Sequence, residues 1–518
     1  MSSTRLFPDR STRLRALAVA CVVAAVYAAF SWNWLLAPSR HFHFVDMAWG
    51  MLHGRLDTDT PRRAAGVAPR PDDPPGLQAA IDRHLLDANG KNLGWNDWAS
   101  YRKLVLKGGQ HVRGVFPWKD DAGPRKHEFF ATDGRTYIID VAKDLQTGCD
   151  PARAWAPCDE VVHQVSFPPL PAVLMAPLVA LVGYRLHDVL FTLAFAVLST
   201  VLAFAWMERM GRTGLHAHGP RDRLWLVALY AFSSVALYCS IRGEVWFTAL
   251  VMGVTFHFAY VMAAEGARRP LLAGLLFGLG VATRTPLLFA GVFFPLEVLW
   301  PGRRLLGGDG LAGLRRAVGP LVLFALPAVA IGAALAWFNW VRWENPVEFG
   351  HFYLLEGTRA PTREHGLFSF WFLNHNLGTA LLNLPQFLLE PPFVLVTRHG
   401  LGLFACTPAL LSLLGSPPVP PDGVPLPDPA LAERRAGLTR NLLLTVAAVA
   451  IPGLLYQNDG WQQFGYRFAL DFWPPLLGVV ALRLPHLSRK WKALVVLGIV
   501  VQAFGAVTFG RMEGFYYD

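Results

Sequence analysis

Long segments without any charged residue are the feature that most limits how this chain can fold. Residues 224–239, 318–337 and 493–509 contain no Asp, Glu, Lys or Arg. Such segments are what a helix needs to cross a hydrocarbon layer of about 30 Å, allowing for tilt and for short helices. Together with a hydrophobic content of 53% and a charged content of 16%, they predict a polytopic integral membrane protein and disfavour a soluble one.

Arginine-rich segments recur between pairs of apolar segments and set the predicted orientation. The net charge of +10 could suggest nucleic acid, but the basic residues form separate clusters, at 5–15, 209–223, 268–269, 303–316, 434–440 and 483–492. Positively charged loops remain in the cytoplasm, so all six clusters lie on that side if the amino terminus does. We therefore expect no nucleic-acid partner, and a multi-pass protein of the bacterial inner (plasma) membrane with a cytoplasmic amino terminus.

The predicted fold is all-α, with about eleven transmembrane helices. The first is expected at 14–36, and the other crossings at about 187–207, 224–241, 246–264, 271–283, 286–300, 318–340, 401–415, 441–457, 466–482 and 492–509. The predicted regions are a cytoplasmic amino terminus (1–13), the first helix (14–36), a large periplasmic loop (37–166), membrane helices with an interfacial helix at 167–183 (167–340), a second periplasmic excursion (341–400), and carboxyl-terminal membrane helices with a cytoplasmic linker at 416–440 (401–518).

The large loop carries its own local signals. Asp133-Gly134 separates His127–Phe130 from Thr136–Ile139, which predicts a small β-hairpin because this dipeptide supplies the positive φ of a tight turn. Short helices are expected at 47–53 and 76–86. Cys149 and Cys158 share the loop and could form a disulfide in an oxidising compartment.

Three arginines stand at predicted outer helix ends, against the usual charge bias. Arg242, Arg284 and Arg467 therefore need a partner, and a guanidinium fork matches phosphate oxygens. They predict a site for an isoprenoid-linked sugar phosphate. The alternative is that each extends to lipid headgroups or pairs with a neighbour, such as Arg242 with Glu244.

Asp46 is the first predicted outer carboxylate after the anchor helix. Transfer of a sugar to a hydroxyl needs a base for the acceptor's proton, and Asp46 is our candidate. The alternative is a helix cap or a solvated loop carboxylate. Asp57 and Asp59 are rivals, although they follow the Gly54-Arg55 break and look more solvated.

Histidines surround Asp46 in the sequence. His41, His43 and His53 could form a metal site with it, but no familiar ligand spacing supports one. We therefore assign no metal site and no certain cofactor, and a divalent metal stays an unsupported possibility.

The order of these features resembles the GT-C class of polyprenyl-phosphate-sugar-dependent membrane glycosyltransferases, in particular bacterial relatives of the protein mannosyltransferases and the lipid A aminoarabinose transferases. The likeness spans most of the chain, although each motif is weak by itself. The matching pieces are Asp46 after the first helix, Pro168-Pro169-Leu170, Glu244 in a short outer turn, and the segments 278–286, 339–350 and 464–471.

The resemblance implies roles for individual residues. Asp46 would be the catalytic base, Arg284 would hold the lipid phosphate, and Glu244 would line the sugar pocket. Arg242 and Arg467 are expected to assist with the phosphate, and Asp459 and Trp461 to contact sugar or acceptor. One departure is that Phe167 precedes Pro168 where aminoarabinose-type members carry Lys, which removes one phosphate contact.

The expected activity is transfer of a sugar from an undecaprenyl-phosphate-linked donor to a cell-envelope glycan, lipid or protein on the periplasmic face. The alternatives are a transporter or flippase of lipid-linked glycans and a non-catalytic glycan-assembly protein. The scarcity of mid-helix charges and of paired broken helices in two related halves disfavours a transporter.

Overall fold

The computed structural model describes residues 7–58, 73, 75–79, 98–116, 126–354, 360–415 and 428–518. Its contacts divide the chain into two compact units: unit 1 is Met1–Ser39, His187–Ala333 and Phe370–Asp518, and unit 2 is Arg40–Leu186 and Ala334–Ser369. The expectations for residues 1–6, for Asp59, for the end of the 76–86 helix (80–86) and for most of the linker (416–427) lie outside the described residues.

Six helices of the described chain are long and apolar enough to cross a membrane, which makes the chain a helical membrane protein by length and composition. They are Arg10–Leu36, Asp188–Arg212, Val245–Ala267, Gly310–Trp343, Pro429–Leu455 and Arg489–Thr508. Each overlaps one predicted crossing. Residues 429–440, the end of the predicted linker, form the first turns of the Pro429–Leu455 helix after an Asp428 cap.

The other five predicted crossings are short or broken. They correspond to Pro220–Phe232 with Ala236–Ser240, Pro270–Val281, a 3-10 segment Thr285–Val292 with Phe293–Leu299, Leu403–Cys406 with a 3-10 segment Pro408–Leu413, and a 3-10 segment Arg467–Phe472 with Trp473–Arg483. Proline lacks the amide hydrogen that continues a helix. Pro286 and Pro408 accordingly stand at the start of a new segment.

The helices of unit 1 differ in how deeply they are enclosed. Of the most apolar window in each, 89% is buried in Val245–Ala267 but only 17% in Gly310–Trp343, so the first is central. The remaining described elements of unit 1 are Leu373–Leu381, Glu513–Tyr516, the 3-10 segments Trp32–Leu36, Glu265–Ala267, Leu305–Gly308 and Phe370–Phe372, and a two-stranded ladder of Gln386–Phe387 with Val394–Leu395.

Unit 2 contains a five-stranded antiparallel sheet in its described residues. Its strands are β1 (Trp98–Val105), β2 (His111–Val115), β3 (Lys126–Ala131), β4 (Thr136–Asp140) and β5 (Asp159–Val165). The order across the sheet is β4-β3-β2-β1-β5. The turn at Asp133-Gly134 joins β3 to β4, and Gly134 adopts a φ of 83°. The sequence signals concern only β3 and β4, whereas β1, β2 and β5 were not predicted.

Short helices accompany the sheet. They are His43–Leu52, Val141–Asp144, Leu170–Val182 and Ala360–His365, with 3-10 segments Pro151–Arg153, Gly183–Arg185 and His351–Tyr353. Cys149 and Cys158 are joined by a disulfide. Cys158 directly precedes β5, and its backbone exchanges hydrogen bonds with Val105 and Gln146, so the bond ties the Cys149 loop to the sheet.

Candidate functional site

Arg284 stands where one apolar helix of unit 1 ends and the next segment begins. The Pro270–Val281 helix stops before it, and Pro286 opens the 3-10 segment that follows. The backbone of Arg284 is extended, with φ −154° and ψ 116°. Its side-chain stem packs beside Gly253 of the central helix, where an added Cβ would lie 3.4 to 3.6 Å from the arginine carbons and 3.2 Å from Leu287 Cδ1. The arginine stem is therefore in van der Waals reach of that helix.

The partner of Arg284 is Asp471, which is 187 positions further along the chain. Arg284 Nε donates to Asp471 Oδ1 at 2.5 Å, and the two side chains are 12% and 3% exposed. The backbone carbonyl of Asp471 lies 2.7 Å from Nδ1 of His257 on the central helix. The Arg284 guanidinium offsets the cost of burying the charged Asp471 carboxylate, because removal of a charge from water is costly.

The two terminal nitrogens of Arg284 have no hydrogen-bond partner among the described residues, since its ion pair with Asp471 uses Nε alone. The guanidinium carbon lies 5.1 Å from the centre of the Phe468 ring. The N–H donors of these two terminal nitrogens therefore remain available, and they are donors with which arginine binds phosphate.

Two phenylalanine rings connect the three predicted arginines. Arg284 and Arg467 both lie over Phe468, with guanidinium carbons 5.1 and 5.6 Å from its centre. Arg467 and Arg242 both lie over Phe247, at 5.7 and 5.2 Å. The structure thus brings together three cations that are spread over more than two hundred residues of the chain, and the electron-rich ring faces stabilise them.

All three guanidinium nitrogens of Arg242 have a hydrogen-bond partner. Its Nε and Nη2 contact the carboxylate of Glu244, with Nη2 to Oε1 at 2.5 Å, and its Nη1 donates to the Phe509 carbonyl at 3.1 Å. This is the neighbour pairing that the sequence left open. Arg242 thus shapes the edge of the cluster, and Glu244 holds it there.

Gln463 links the arginine cluster to a second group of polar residues. Its Nε2 donates at 2.8 Å to the carbonyls of His399 and of Asp459, and its Oε1 accepts from the Arg467 backbone N–H at 2.8 Å. The Gln463 side chain is fully buried. Arg467 in turn donates from Nη1 to the Gln462 carbonyl at 2.7 Å.

Asp459 is buried, and its carboxylate faces two histidines. Oδ2 lies 3.0 Å from His375 Nε2 and 2.5 Å from His399 Nδ1, and it accepts from the Thr379 hydroxyl at 3.1 Å. Trp461 donates its backbone N–H to Oδ1 at 3.2 Å, and its side chain is 38% exposed. Trp461 therefore offers an accessible ring, whereas Asp459 is occupied by the histidines.

Asp46 belongs to unit 2 and is neither a helix cap nor a solvated carboxylate. It lies in the first turn of the His43–Leu52 helix, whose cap position is Phe42, and it is 2% exposed. The Tyr184 hydroxyl donates to Oδ1 of Asp46. Asp57, its rival, is solvated and pairs with Arg55 at 3.2 Å, with 45% of its side chain exposed.

The histidines near Asp46 have different surroundings. His43 is fully buried and stacks on His41, with ring centres 5.9 Å apart. His53 is exposed, lies against Trp49, and has its Nδ1 at 2.8 Å from the Trp49 carbonyl. The grouping of metal-ligand side chains in the described residues is instead His375, His399 and Asp459.

Sequence reasoning missed four residues of unit 1: Asp471, Gln463, His375 and His399. Asp471 falls inside the segment 464–471 quoted for the resemblance, so its position was marked although its partner was not. The others carry no local signal, because their contacts join residues from 60 to 84 positions apart.

Unit 1 therefore gathers Arg242, Arg284, Arg467 and Glu244, with Asp459 and Trp461 reached through Gln463. Asp46 is a buried acid of unit 2. No protein-family model matches the chain, and no match was found among curated proteins or solved structures.

Proposed function

We propose that this chain is a membrane glycosyltransferase of the GT-C kind, which moves a sugar from an undecaprenyl-phosphate-linked donor to a cell-envelope acceptor. The observation that carries the proposal is the hydrogen bonding of the Arg284 guanidinium. Its Nε is held by a buried Asp471, while its terminal nitrogens have no partner among the described residues. That arrangement fixes the guanidinium plane and presents its fork, which is the donor geometry that a phosphate monoanion or dianion requires.

Arg467 adds a second cation to this position, because it shares the Phe468 ring with Arg284. Arg242 is paired with Glu244. Around the Phe468 ring, two guanidinium groups, those of Arg284 and Arg467, stand beside one carboxylate that is already paired, Asp471, which leaves an excess of positive charge at the ring. In a site of low dielectric, such an excess favours an anion and stabilises the charge that grows on a departing phosphate.

We propose an inverting transfer in which the arginines of unit 1 receive the phosphate and Asp46 of unit 2 is the base. The bond from the anomeric carbon to the phosphate oxygen breaks, and the phosphate leaves with the electron pair toward Arg284 and Arg467. The acceptor oxygen forms the new bond from the opposite face, which inverts the configuration. Asp46 takes the proton of the acceptor hydroxyl, and Tyr184, which donates to Asp46, orients that carboxylate. The exposed ring of Trp461 supports a sugar face by stacking.

The proposal also includes the orientation. We place the amino terminus in the bacterial cytoplasm, the arginine cluster at the periplasmic surface, and eleven crossings in the membrane, with the five short or broken apolar segments added to the six long ones. A donor that enters from the bilayer then keeps its isoprenoid tail in lipid, and only its phosphate and sugar reach the helix ends.

The test is sugar release from defined donors. The protein is reconstituted in lipid nanodiscs with a panel of undecaprenyl-phosphate sugars, and free undecaprenyl phosphate is measured in the presence of envelope extracts as acceptor. We expect release from at least one donor, and a fall of about 10²- to 10⁴-fold in Asp46→Asn, the range of general-base catalysis. Asp57→Asn removes a solvated carboxylate of the same unit and is the matched control.

Arg284→Lys tests the phosphate contact while it keeps a cation beside Asp471. The loss of the fork should weaken donor binding, measured by displacement of a labelled donor, whereas Arg268→Lys at an exposed position should not. Release that is equal in wild type and Asp46→Asn would remove the acid from the mechanism. Donor movement across a vesicle membrane without release would assign the chain to lipid-linked glycan transport instead.

A further inference from the structure

The cluster of His375, His399 and Asp459 has the composition of a metal site. Two imidazole nitrogens and one carboxylate oxygen lie within 4.8 Å of one another. Imidazole and carboxylate together suit zinc and its neighbouring divalent transition metals, and three protein ligands leave positions open for water or substrate. From this grouping we infer that unit 1 binds one divalent transition-metal ion through His375 Nε2, His399 Nδ1 and Asp459 Oδ2.

The number of contacts at Asp459 Oδ2 supports this inference. His375, His399 and Thr379 all place a polar atom within 3.1 Å of that one oxygen. A carboxylate oxygen offers about two lone-pair positions, so three hydrogen-bond donors are more than it accommodates. A metal ion resolves the crowding, because the two imidazoles then direct lone pairs at the ion rather than hydrogens at the oxygen.

The two nitrogen-to-oxygen distances require little movement. A tetrahedral ion with bonds of about 2.1 Å separates its ligand atoms by about 3.4 Å. The two nitrogen-to-oxygen distances are 3.0 and 2.5 Å, so each lengthens by less than about 1 Å. Both histidine side chains are partly exposed, at 61% and 41%, and rotation about their side-chain bonds supplies that movement.

The surroundings hold the carboxylate in place. Asp459 is 3% exposed at its side chain. Its Oδ1 accepts from the Trp461 backbone, and Thr379, one turn after His375 on the Leu373–Leu381 helix, contacts Oδ2. Such contacts orient metal ligands. The exposed side of the two histidines gives an ion its entry path and leaves its open positions accessible.

A glycine next to His399 allows the Asp459–Gln463 loop to lie close to that histidine. Gly400 has a φ of 77°, and a Cβ there would lie 2.8 Å from Gln463 Cγ and 2.9 Å from its carbonyl. Glycine therefore permits the Asp459–Gln463 loop to approach His399. The inference concerns metal binding alone and does not rest on the proposed glycosyltransferase activity.

The experiment measures zinc directly. The protein is purified in detergent with a tag that contains no histidine, stripped with EDTA, dialysed, and titrated with Zn²⁺ in competition with a chromophoric chelator at neutral pH. We expect one tight site per chain. His375→Ala and His399→Ala should each weaken it by about 100-fold or more, since even the partners of ligands are worth 10- to 100-fold. His486→Ala, which removes an exposed histidine of the same unit, should leave the affinity unchanged.

Folding is checked on the same samples by thermal unfolding without metal. His375 is the safest variant, because most of its side chain is exposed. Thr379→Val should weaken zinc less than either histidine variant does. Absence of a tight site in wild type would overturn the inference, as would equal affinity in wild type and His375→Ala. Loss of zinc in His53→Ala with retention in His399→Ala would place the metal at the histidines near Asp46 and would also overturn it.

Discussion

Arg284 and Asp471 form a buried ion pair at 2.5 Å that joins the end of the Pro270–Val281 helix to the 3-10 segment Arg467–Phe472. If one partner of such a pair is removed, the other is left as an uncompensated buried charge. Replacement of both partners by apolar residues is often tolerated. The pair therefore has two separable functions, one in stability and one in presentation of the arginine fork. Replacement of one partner or of both separates these functions.

Arg284→Leu should destabilise unit 1 by about 3–5 kcal/mol, because Asp471 is then buried without its cation. The double variant Arg284→Leu/Asp471→Leu should recover most of that loss. Stability is measured by denaturant unfolding in detergent micelles. If the double variant were as unstable as the single one, the cost would come from lost packing rather than from the unpaired carboxylate. Donor binding should be absent in both, which distinguishes binding from stability.

Tyr184→Phe should destabilise unit 2 by about 1–3 kcal/mol, because it removes a hydroxyl that donates to a buried carboxylate. The Asp46 oxygen has this contact inside the protein at 2% exposure, where water does not replace it. Tyr137→Phe is the control, since its hydroxyl makes only contacts of 3.3 and 3.4 Å with Asp133 and Gln110. Equal losses in the two variants would mean that the Asp46 contact carries no special weight.

The sequence predicted the long helices well and the broken ones poorly. A charge-free run such as 318–337 specifies a helix because lipid leaves its backbone no other partner. The run 286–300 is also rich in apolar residues, although it includes Glu297, but Pro286 opens a 3-10 segment there, and composition alone does not set where a helix restarts. The count of eleven crossings stays a prediction for that reason.

The sheet and the site both depend on contacts between residues that are distant in the sequence, which local sequence patterns do not reveal. Only the Asp133-Gly134 turn marks strands by a local rule, whereas β1 and β5 pair across more than fifty residues and β1 carries charges, as at Arg102. The arginines were found because they oppose the usual charge bias. Asp471 and His399 were not, because only the tertiary fold pairs them with Arg284 and Asp459.

Removal of the disulfide should lower the free energy of unfolding of unit 2. Cys149 and Cys158 are nine residues apart, and closure of a loop of that size is worth about 2.5–3 kcal/mol in the chain-entropy treatment. The double variant Cys149→Ser/Cys158→Ser should lose about this much stability, measured by unfolding without reductant. Cys21→Ser, at an exposed position of the first helix, is the control. Unchanged stability would show that the unfolded chain gains little from release of the loop.

Acidity should stabilise the segment around Glu348. Burial raises the pKa of this carboxyl above its usual 4.5, although the backbone N–H groups of Gly350 and its neighbours oppose the rise. The folded state then holds the proton more tightly than the unfolded chain does. Its contribution to stability is therefore complete below about pH 4.5 and is lost as pH rises through the raised pKa.

The measurement for Glu348 is the difference in unfolding free energy between wild type and Glu348→Gln as a function of pH. The difference should favour wild type most in acid, decline as the pH rises, and become constant once the carboxyl is ionised. Glu390→Gln removes an exposed carboxyl and should show no such trend. A difference that grew with pH would mean that the backbone N–H groups dominate over burial.

Gln463→Met should weaken two kinds of binding at once. This buried amide is the only described side chain that bonds both to the backbone of His399 and Asp459 and to that of Arg467. Methionine has a similar length but no polar atom, so the Arg467 N–H loses its acceptor and the loop loses its attachment, at a cost of about 1–3 kcal/mol. We expect lower zinc affinity and weaker donor displacement together, whereas His375→Ala should weaken zinc binding alone. If Gln463→Met weakened only one of the two kinds of binding, the polar groups would be separate sites, and the link through Gln463 would have only a structural role.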